Sequence, residues 1–192
     1  MQTKQVLIPS WEPIFLLKEL GFEDSCYSLN NRGAYSVVYN IVGTDLVLYS
    51  TRDKHKAGIF ETFNLLKSPV LNMYGKYAFI VKRLKRLEHA AESYEMLDVL
   101  EDFAFSILDN FSNICEDTLE EITKFFLDFI DDGYFQYYDV LEKVLLVLKA
   151  IIVSGCEITS EDVHMGNVLQ DEEGILYPID VFIAYPKEES YV

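Results

Sequence analysis

The chain has 192 residues, long enough for a sizeable core, and 50% of them are hydrophobic and 14% aromatic, which argues against disorder despite a formal net charge of −16. The acidity therefore belongs to a folded surface. It disfavours direct, sequence-independent binding to nucleic acid, because phosphate repulsion must be overcome before contact, and it suits a basic partner protein better; a fold that imitates DNA is the competing reading.

In chain order, Ile14 to Leu20 predicts a short helix stopped at Gly21. The runs Tyr27 to Leu29, Tyr35 to Val42 and Leu46 to Tyr49 favour strands, and the turn signals NNRG and GTD between them predict an antiparallel meander. Ile59 to Leu66 reads as helix. Val70 to Tyr74 and Tyr77 to Val81 form a hairpin through Gly75-Lys76, which gives five strands around one helix. Beyond Glu88 apolar residues recur at three- and four-residue spacing, predicting helices over Ala90 to Phe111, Thr118 to Ile130 and Tyr138 to Val153, with breaks at Gly133 and Gly155. A loop follows, then strands Asn167 to Leu169 and Leu176 to Ile179 around a turn at Asp171 to Gly174. The expected fold is α+β, with a sheet-rich portion over residues 1–87 and a mainly helical portion over 88–192.

Cys26, Cys115 and Cys156 are an odd, widely spaced set without metal-ligand spacing, so a reduced, cytoplasmic chain is expected. The most apolar stretch, Val144 to Val153, is interrupted by Lys149 and is too short to span a bilayer, so no membrane partner is expected.

The segment EDVHMGNVLQDEEGILYPIDVF, residues 161 to 182, carries the most chemistry. Phosphoryl transfer needs oxygen ligands for Mg²⁺ and a carboxylate that orients the acceptor hydroxyl. Asp162, Asn167 and Asp180 supply that set. Each has a bland alternative: a turn cap, a side chain bonded to nearby backbone, a strand-end carboxylate.

This string resembles the catalytic and metal-binding loops of the protein-kinase-like superfamily, especially its aminoglycoside-phosphotransferase-like branch with a D-x-H-x-G-N core. It is also similar to the small early protein kinases of T7-like bacteriophages. The resemblance implies a two-lobed kinase-like fold with ATP and Mg²⁺ as cofactors. Asp162 would be the catalytic base, Asn167 and Asp180 the metal ligands, and His164 and Gly166 would shape the loop. Upstream, SLNNRGAYSVVYN resembles a nucleotide-covering loop: Arg32 and Gly33 stand at its tip, Tyr35 and Ser36 over the phosphates, and Val38 toward the adenine. The segment YAFIVKRLKRL resembles the strand and hinge of the adenine pocket, with Ile80, Val81 and Leu84 as walls.

The sequence departs from that family at LVLYS, where Tyr49 stands in place of the lysine that holds the α/β-phosphates. Arg32, Lys54 or Lys56 could supply the charge instead. Glu61, which would partner such a lysine, otherwise reads as a solvated helix residue. Ser160 and Phe182 replace a family histidine and glycine, and Ile183 to Val192 is too short for a typical activation segment. From Glu88 through Asp132 the only lysine or arginine is Lys124, against many carboxylates. Two functions follow. One, which the resemblance to phage kinases implies, is ATP- and Mg²⁺-dependent phosphoryl transfer to a host protein during infection. The other is a pseudokinase, or acidic kinase-fold inhibitor, that blocks a host defence or transcription protein. Small-molecule phosphorylation ranks last, because a substrate-binding lobe after the loop is missing.

Overall fold

The computed structural model describes residues 12–22, 27–32, 36–73 and 75–186. Among the described residues the protein is mixed α and β. Its contacts divide it into two units, one comprising the chain up to Asp53 together with Leu65–Arg83, the other Lys54–Asn64 and the chain from Leu84 onward. The segment Lys54–Asn64 thus leaves the sheet-rich unit although it lies between its strands in sequence.

In the first unit, helix α1 (Glu12–Glu19) precedes strands β1 (Tyr27–Arg32), β2 (Ser36–Ile41), β3 (Leu46–Thr51), β4 (Leu71–Met73) and β5 (Lys76–Lys82). They form the expected antiparallel five-stranded sheet, in the order β1-β2-β3-β5-β4. Alternation along the strands sends Tyr39, Ile41, Leu48, Ala78 and Ile80 to one face, where Leu16, Leu17 and Leu20 of α1 pack on them. Helix α1 ends where Gly21, at φ 85°, turns the chain left-handed. The Phe22 amide then reaches the Leu17 carbonyl at 2.7 Å and the Gly21 amide that of Lys18 at 3.0 Å, a Schellman closure.

The second unit holds α2 (Lys56–Thr62), β6 (Lys85–Arg86), α3 (Ala91–Asn110), α4 (Leu119–Phe129), α5 (Tyr138–Val153), β7 (Cys156–Glu161), β8 (Val168–Gln170), β9 (Leu176–Pro178) and β10 (Phe182–Pro186). The long helices fall where the periodicity predicts them. Met96, Leu100, Phe103 and Ile107 of α3 are buried, as are Val140, Val144, Val147, Leu148 and Ile151 of α5 and Ile122 and Phe126 of α4. Phe103 gathers the rings of Phe125, Phe126 and Phe129 at centroid distances of 6.2, 5.9 and 5.0 Å. A π turn over Ile130–Tyr134, with Gly133 at φ 119°, and a 3₁₀ turn over Phe135–Tyr137 join α4 to α5. No helix among the described residues is long and apolar enough to cross a membrane.

Two expectations need correction, and one gains a strand. The helix expected over Ile59 to Leu66 is α2, which starts at Lys56 and ends at Thr62. Asn64 takes a left-handed φ of 58°, which ends the helical path, and Leu66 instead bridges to Val81 of the sheet. The region after Gly155, expected as loop, is strand β7, because β10 pairs with it antiparallel from Cys156↔Pro186 to Glu161↔Phe182. The strand pair expected around residues 167 to 179 is there, and β6 adds a third strand through Lys85↔Gln170 and Arg86↔Leu169.

Candidate functional site

Asp162 follows the last residue of β7, and its amide donates to the Val181 carbonyl (2.9 Å), so the loop begins tied to the start of β10. The loop closes on itself within one turn. Asn167 donates its amide to the His164 carbonyl (2.9 Å), and the Gly166 amide donates to His164 Nδ1 (3.0 Å). A Cβ on Gly166 would sit 2.8 Å from His164 Cε1, so the residue at 166 has room for no side chain while the imidazole stays in place. Because Nδ1 accepts that bond it is unprotonated, and the ring carries its proton on Nε2. Nε2 lies 3.7 Å from Asp162 Oδ1, too far for a hydrogen bond.

Asn167 is the hub of the loop. Its Nδ2 donates to the Asp162 carbonyl (2.7 Å) and to Asp162 Oδ2 (2.9 Å), so both amide protons are used and the orientation of the side-chain amide is fixed by two acceptors. Its main-chain carbonyl accepts from the amides of Ile179 (2.9 Å) and Asp180 (3.3 Å). One residue thereby holds Asp162 on one side and the Asp180 backbone on the other.

The partner of Asp180 is Lys56, the first residue of α2. Its ammonium lies 2.5 Å from Asp180 Oδ1, with the lysine side chain 3% exposed and the aspartate 44%. Helix α2 lies against α5 and buries Lys56, Ala57, Ile59 and Phe60. Burial of an ammonium is tolerated only with a charge partner, and Asp180 is that partner.

The hairpin leading to Asp180 has its own support. Asp171, buried at the turn, accepts through Oδ1 from the amides of Glu173 (3.1 Å) and Ile175 (2.9 Å), and through Oδ2 from the Tyr177 hydroxyl (3.1 Å). Burial, and after it the bond to Asp171, pushes the Tyr177 phenol above its usual range. Lys143 of α5 donates to the Leu176 carbonyl (2.8 Å) and lies 4.9 Å from the centre of the Tyr177 ring. Burial lowers its ammonium pKa, against the opposing pull of Asp139 and Asp171.

The structure thus brings Asp162, His164, Gly166 and Asn167 together in one loop, ties the Asp180 backbone to Asn167, and pairs the Asp180 carboxylate with Lys56. The other sequence candidates lie elsewhere. Gly33 and Tyr35 lie outside the described residues, and of Arg32 only the backbone is described, at the end of β1 opposite Val37. Ser36 donates to Thr51 Oγ1 (2.8 Å). Ile80 is fully buried in the α1 core, so its side chain serves that core. Val38 and Val81 are buried on the opposite face of the sheet, and Leu84 is half-buried ahead of β6. Tyr49 stacks on Phe79 with ring centres 5.7 Å apart and planes within 2°. Glu61 is exposed on α2, the solvated position that its bland reading gives.

Among the described residues no three His, Cys, Asp or Glu side chains cluster so as to hold a metal. Asp162, Asn167 and Asp180 nonetheless carry only hard oxygen donors, the type that Mg²⁺ takes. The sequence pointed to Lys56 only as one of three possible cations. The signal that singles it out, a lysine on the buried side of a short helix, is visible only once α2 is placed. Compared with known proteins, the chain matches no family model and no curated sequence.

Proposed function

We propose that this protein is a kinase-like phosphotransferase that uses ATP and Mg²⁺ to phosphorylate a hydroxyl of a partner protein. The observation that carries the reading is the Asn167 clamp, which binds Asp162 through its side chain and the Asp180 backbone through its main-chain carbonyl, with the Asp180 carboxylate paired to a buried lysine. Asp162 accepts the proton of the attacking hydroxyl while the new oxygen–phosphorus bond forms and the bond to the ADP oxygen breaks, ADP leaving with the electron pair. Asn167 keeps the carboxylate aimed by binding its Oδ2, and Lys56 offers positive charge to phosphate oxygens where Tyr49 cannot. Magnesium, held by Asn167 and Asp180, would supply charge neutralisation at the phosphates. Nucleotide-dependent stabilisation tests binding, and labelled-phosphate transfer by wild type against Asp162→Ala tests catalysis.

A second reading, a pseudokinase that acts by binding, is favoured by a specific observation: the Asp180 carboxylate is paired with the buried Lys56 ammonium. The docking surface would be α3, on which Glu92, Glu95, Asp98, Glu101 and Asp102 are all exposed. Such a face accelerates and orients association with a basic protein. Neutralising those five residues tests it, because association should slow while nucleotide binding stays unchanged.

A further inference from the structure

We propose that a cleft in the second unit is a docking groove for a basic segment of the partner protein, one that carries aliphatic side chains among its lysines or arginines. The inference deepens the proposed function and rests on it only for the partner being a protein. The cleft, of about 510 Å³, opens between the first turns of α3, the start of α5 and the β8–β9 turn, and none of Asp162, Asn167, Asp180 and Lys56 lines it. Its floor is apolar. Leu87, Met96 and Val140 are buried there, Leu176 is half-buried, and Ile175 stands 45% exposed, a branched aliphatic side chain left open to water. Its rim is acidic. Glu92 of α3, Asp139 of α5 and Glu173 of the turn are exposed, so each of the three walls contributes a carboxylate. Lys143 also lines the cleft, but it donates inward to the Leu176 carbonyl (2.8 Å) and lies 4.9 Å from the centre of the Tyr177 ring. Three carboxylates against one ammonium leave the cleft net negative.

Floor and rim together select the occupant. A small polar cation gains from the rim and nothing from the floor, and a neutral apolar molecule gains from the floor while it draws water away from the carboxylates. A segment that mixes Lys or Arg with Leu or Ile satisfies both. Its aliphatic side chain covers Met96 and Val140, and its charges meet Glu92, Asp139 and Glu173 at the wet edge, where pairing steers and orients association with little desolvation. The matching charge also runs on beyond the cleft. Glu95 and Asp102 are exposed further along α3, Asp102 about 15 Å past Glu92 at the helical rise per residue. That reach suits an extended run of several residues rather than a compact small molecule.

The probe is a short fluorescent peptide in which arginines flank two leucines, titrated into the full chain without nucleotide and read by anisotropy. Wild type should bind it saturably in the micromolar range, with shifts at the amide resonances of Ser93, Met96, Val140 and Ile175. Replacing the leucines by alanine, or the arginines by glutamine, should each weaken binding by about tenfold or more. Glu92→Lys with Asp139→Lys should do the same, and so should Ile175→Asp. Asp109→Lys with Asp128→Lys makes an equal change of net charge at exposed positions outside the cleft and should alter binding by no more than about twofold. Absence of saturable binding overturns the proposal. Binding indifferent to the leucines, or weakened equally by the two pairs of charge reversals, also overturns it, because the overall charge of −16 then holds the peptide unaided. Should the cleft variants fail to fold, the wild-type resonances decide: shifts at those four amides support the groove, and shifts confined to other residues overturn it. A serine placed in the peptide separates this inference from the function. Groove binding without phosphorylation under MgATP would sink the phosphotransferase reading and leave the groove standing. Phosphorylation at an unchanged KM by the Glu92→Lys, Asp139→Lys protein would overturn the groove and leave the phosphotransferase.

Discussion

Asn167 Nδ2 donates to both the main-chain and the side-chain oxygen of Asp162, at 2.7 and 2.9 Å, so one amide group fixes the position and the rotamer of the candidate base. Replacing Asn167 by Ala removes both bonds and leaves a partly buried carbonyl to find water. A loss of about 1–3 kcal/mol is expected from denaturant titration. The Asn167 main-chain carbonyl still accepts from Ile179 and Asp180, so the fold survives. Asn167→Asp should be worse than Asn167→Ala at neutral pH, because it turns acceptors toward acceptors.

The Lys56–Asp180 pair should respond unequally to losing one partner or the other. Asp180→Ala strands a buried ammonium, and a cost of roughly 3–5 kcal/mol is expected. Lys56→Met leaves a carboxylate with solvent at hand, and a cost of about 1 kcal/mol or less is expected. Equal costs from the two substitutions, measured under the same denaturant conditions, would mean that the lysine reaches water readily.

Gly166 and His164 should be coupled. A methyl at 166 meets His164 Cε1 at 2.8 Å, but the imbalance is relieved if the exposed imidazole swings away, at the cost of its bond from the Gly166 amide. Gly166→Ala should therefore be destabilising in the wild-type background and much less so in His164→Ala. The coupling expected from a double-mutant cycle is about 0.5–3 kcal/mol, and additive costs would contradict the contact.

Alkaline stability should carry the signature of the β8–β9 hairpin. Tyr177 has a raised pKa in the folded state, so the stability it contributes is complete below its unfolded value of 10.0 and is lost as pH rises through the folded value. Lys143 has the opposite sign. Its folded pKa lies below 10.5, so the unfolded state binds the extra proton and stability rises through the window between the two values. Tyr177→Phe should remove the alkaline loss, and Lys143→Met should remove the gain that offsets it, in unfolding free energies followed from pH 8 to 11 at roughly unit intervals.

The parts of the fold built from local regularity were legible. The burial of Met96, Leu100, Phe103 and Ile107, and of Val140, Val144, Val147 and Ile151, follows from helical spacing, and the antiparallel sheet follows from turn residues between short β-favouring runs. The loop residues Asp162, Gly166 and Asn167 are close in sequence, so their meeting was legible too. What escaped depends on partners distant in the chain. Strand β7 reads CEITSE, too polar to declare itself, and becomes a strand only because β10 pairs with it. Lys56 opens a seven-residue helix with a glycine at its third position, weak in propensity, and its role comes from Asp180 far along the chain.

The most direct test of the central claim is unfolding of the full chain with and without MgATP, in wild type, Asp162→Ala and Asp180→Asn. Nucleotide at a hundredfold its dissociation constant should stabilise wild type by about 2.7 kcal/mol. Asp162→Ala should keep nearly all of that shift, because its carboxylate acts on the acceptor hydroxyl in the transition state, whereas Asp180→Asn should lose most of it. No shift in wild type at millimolar MgATP, or a shift indifferent to Asp180, would contradict the assignment of this loop as a nucleotide–metal site.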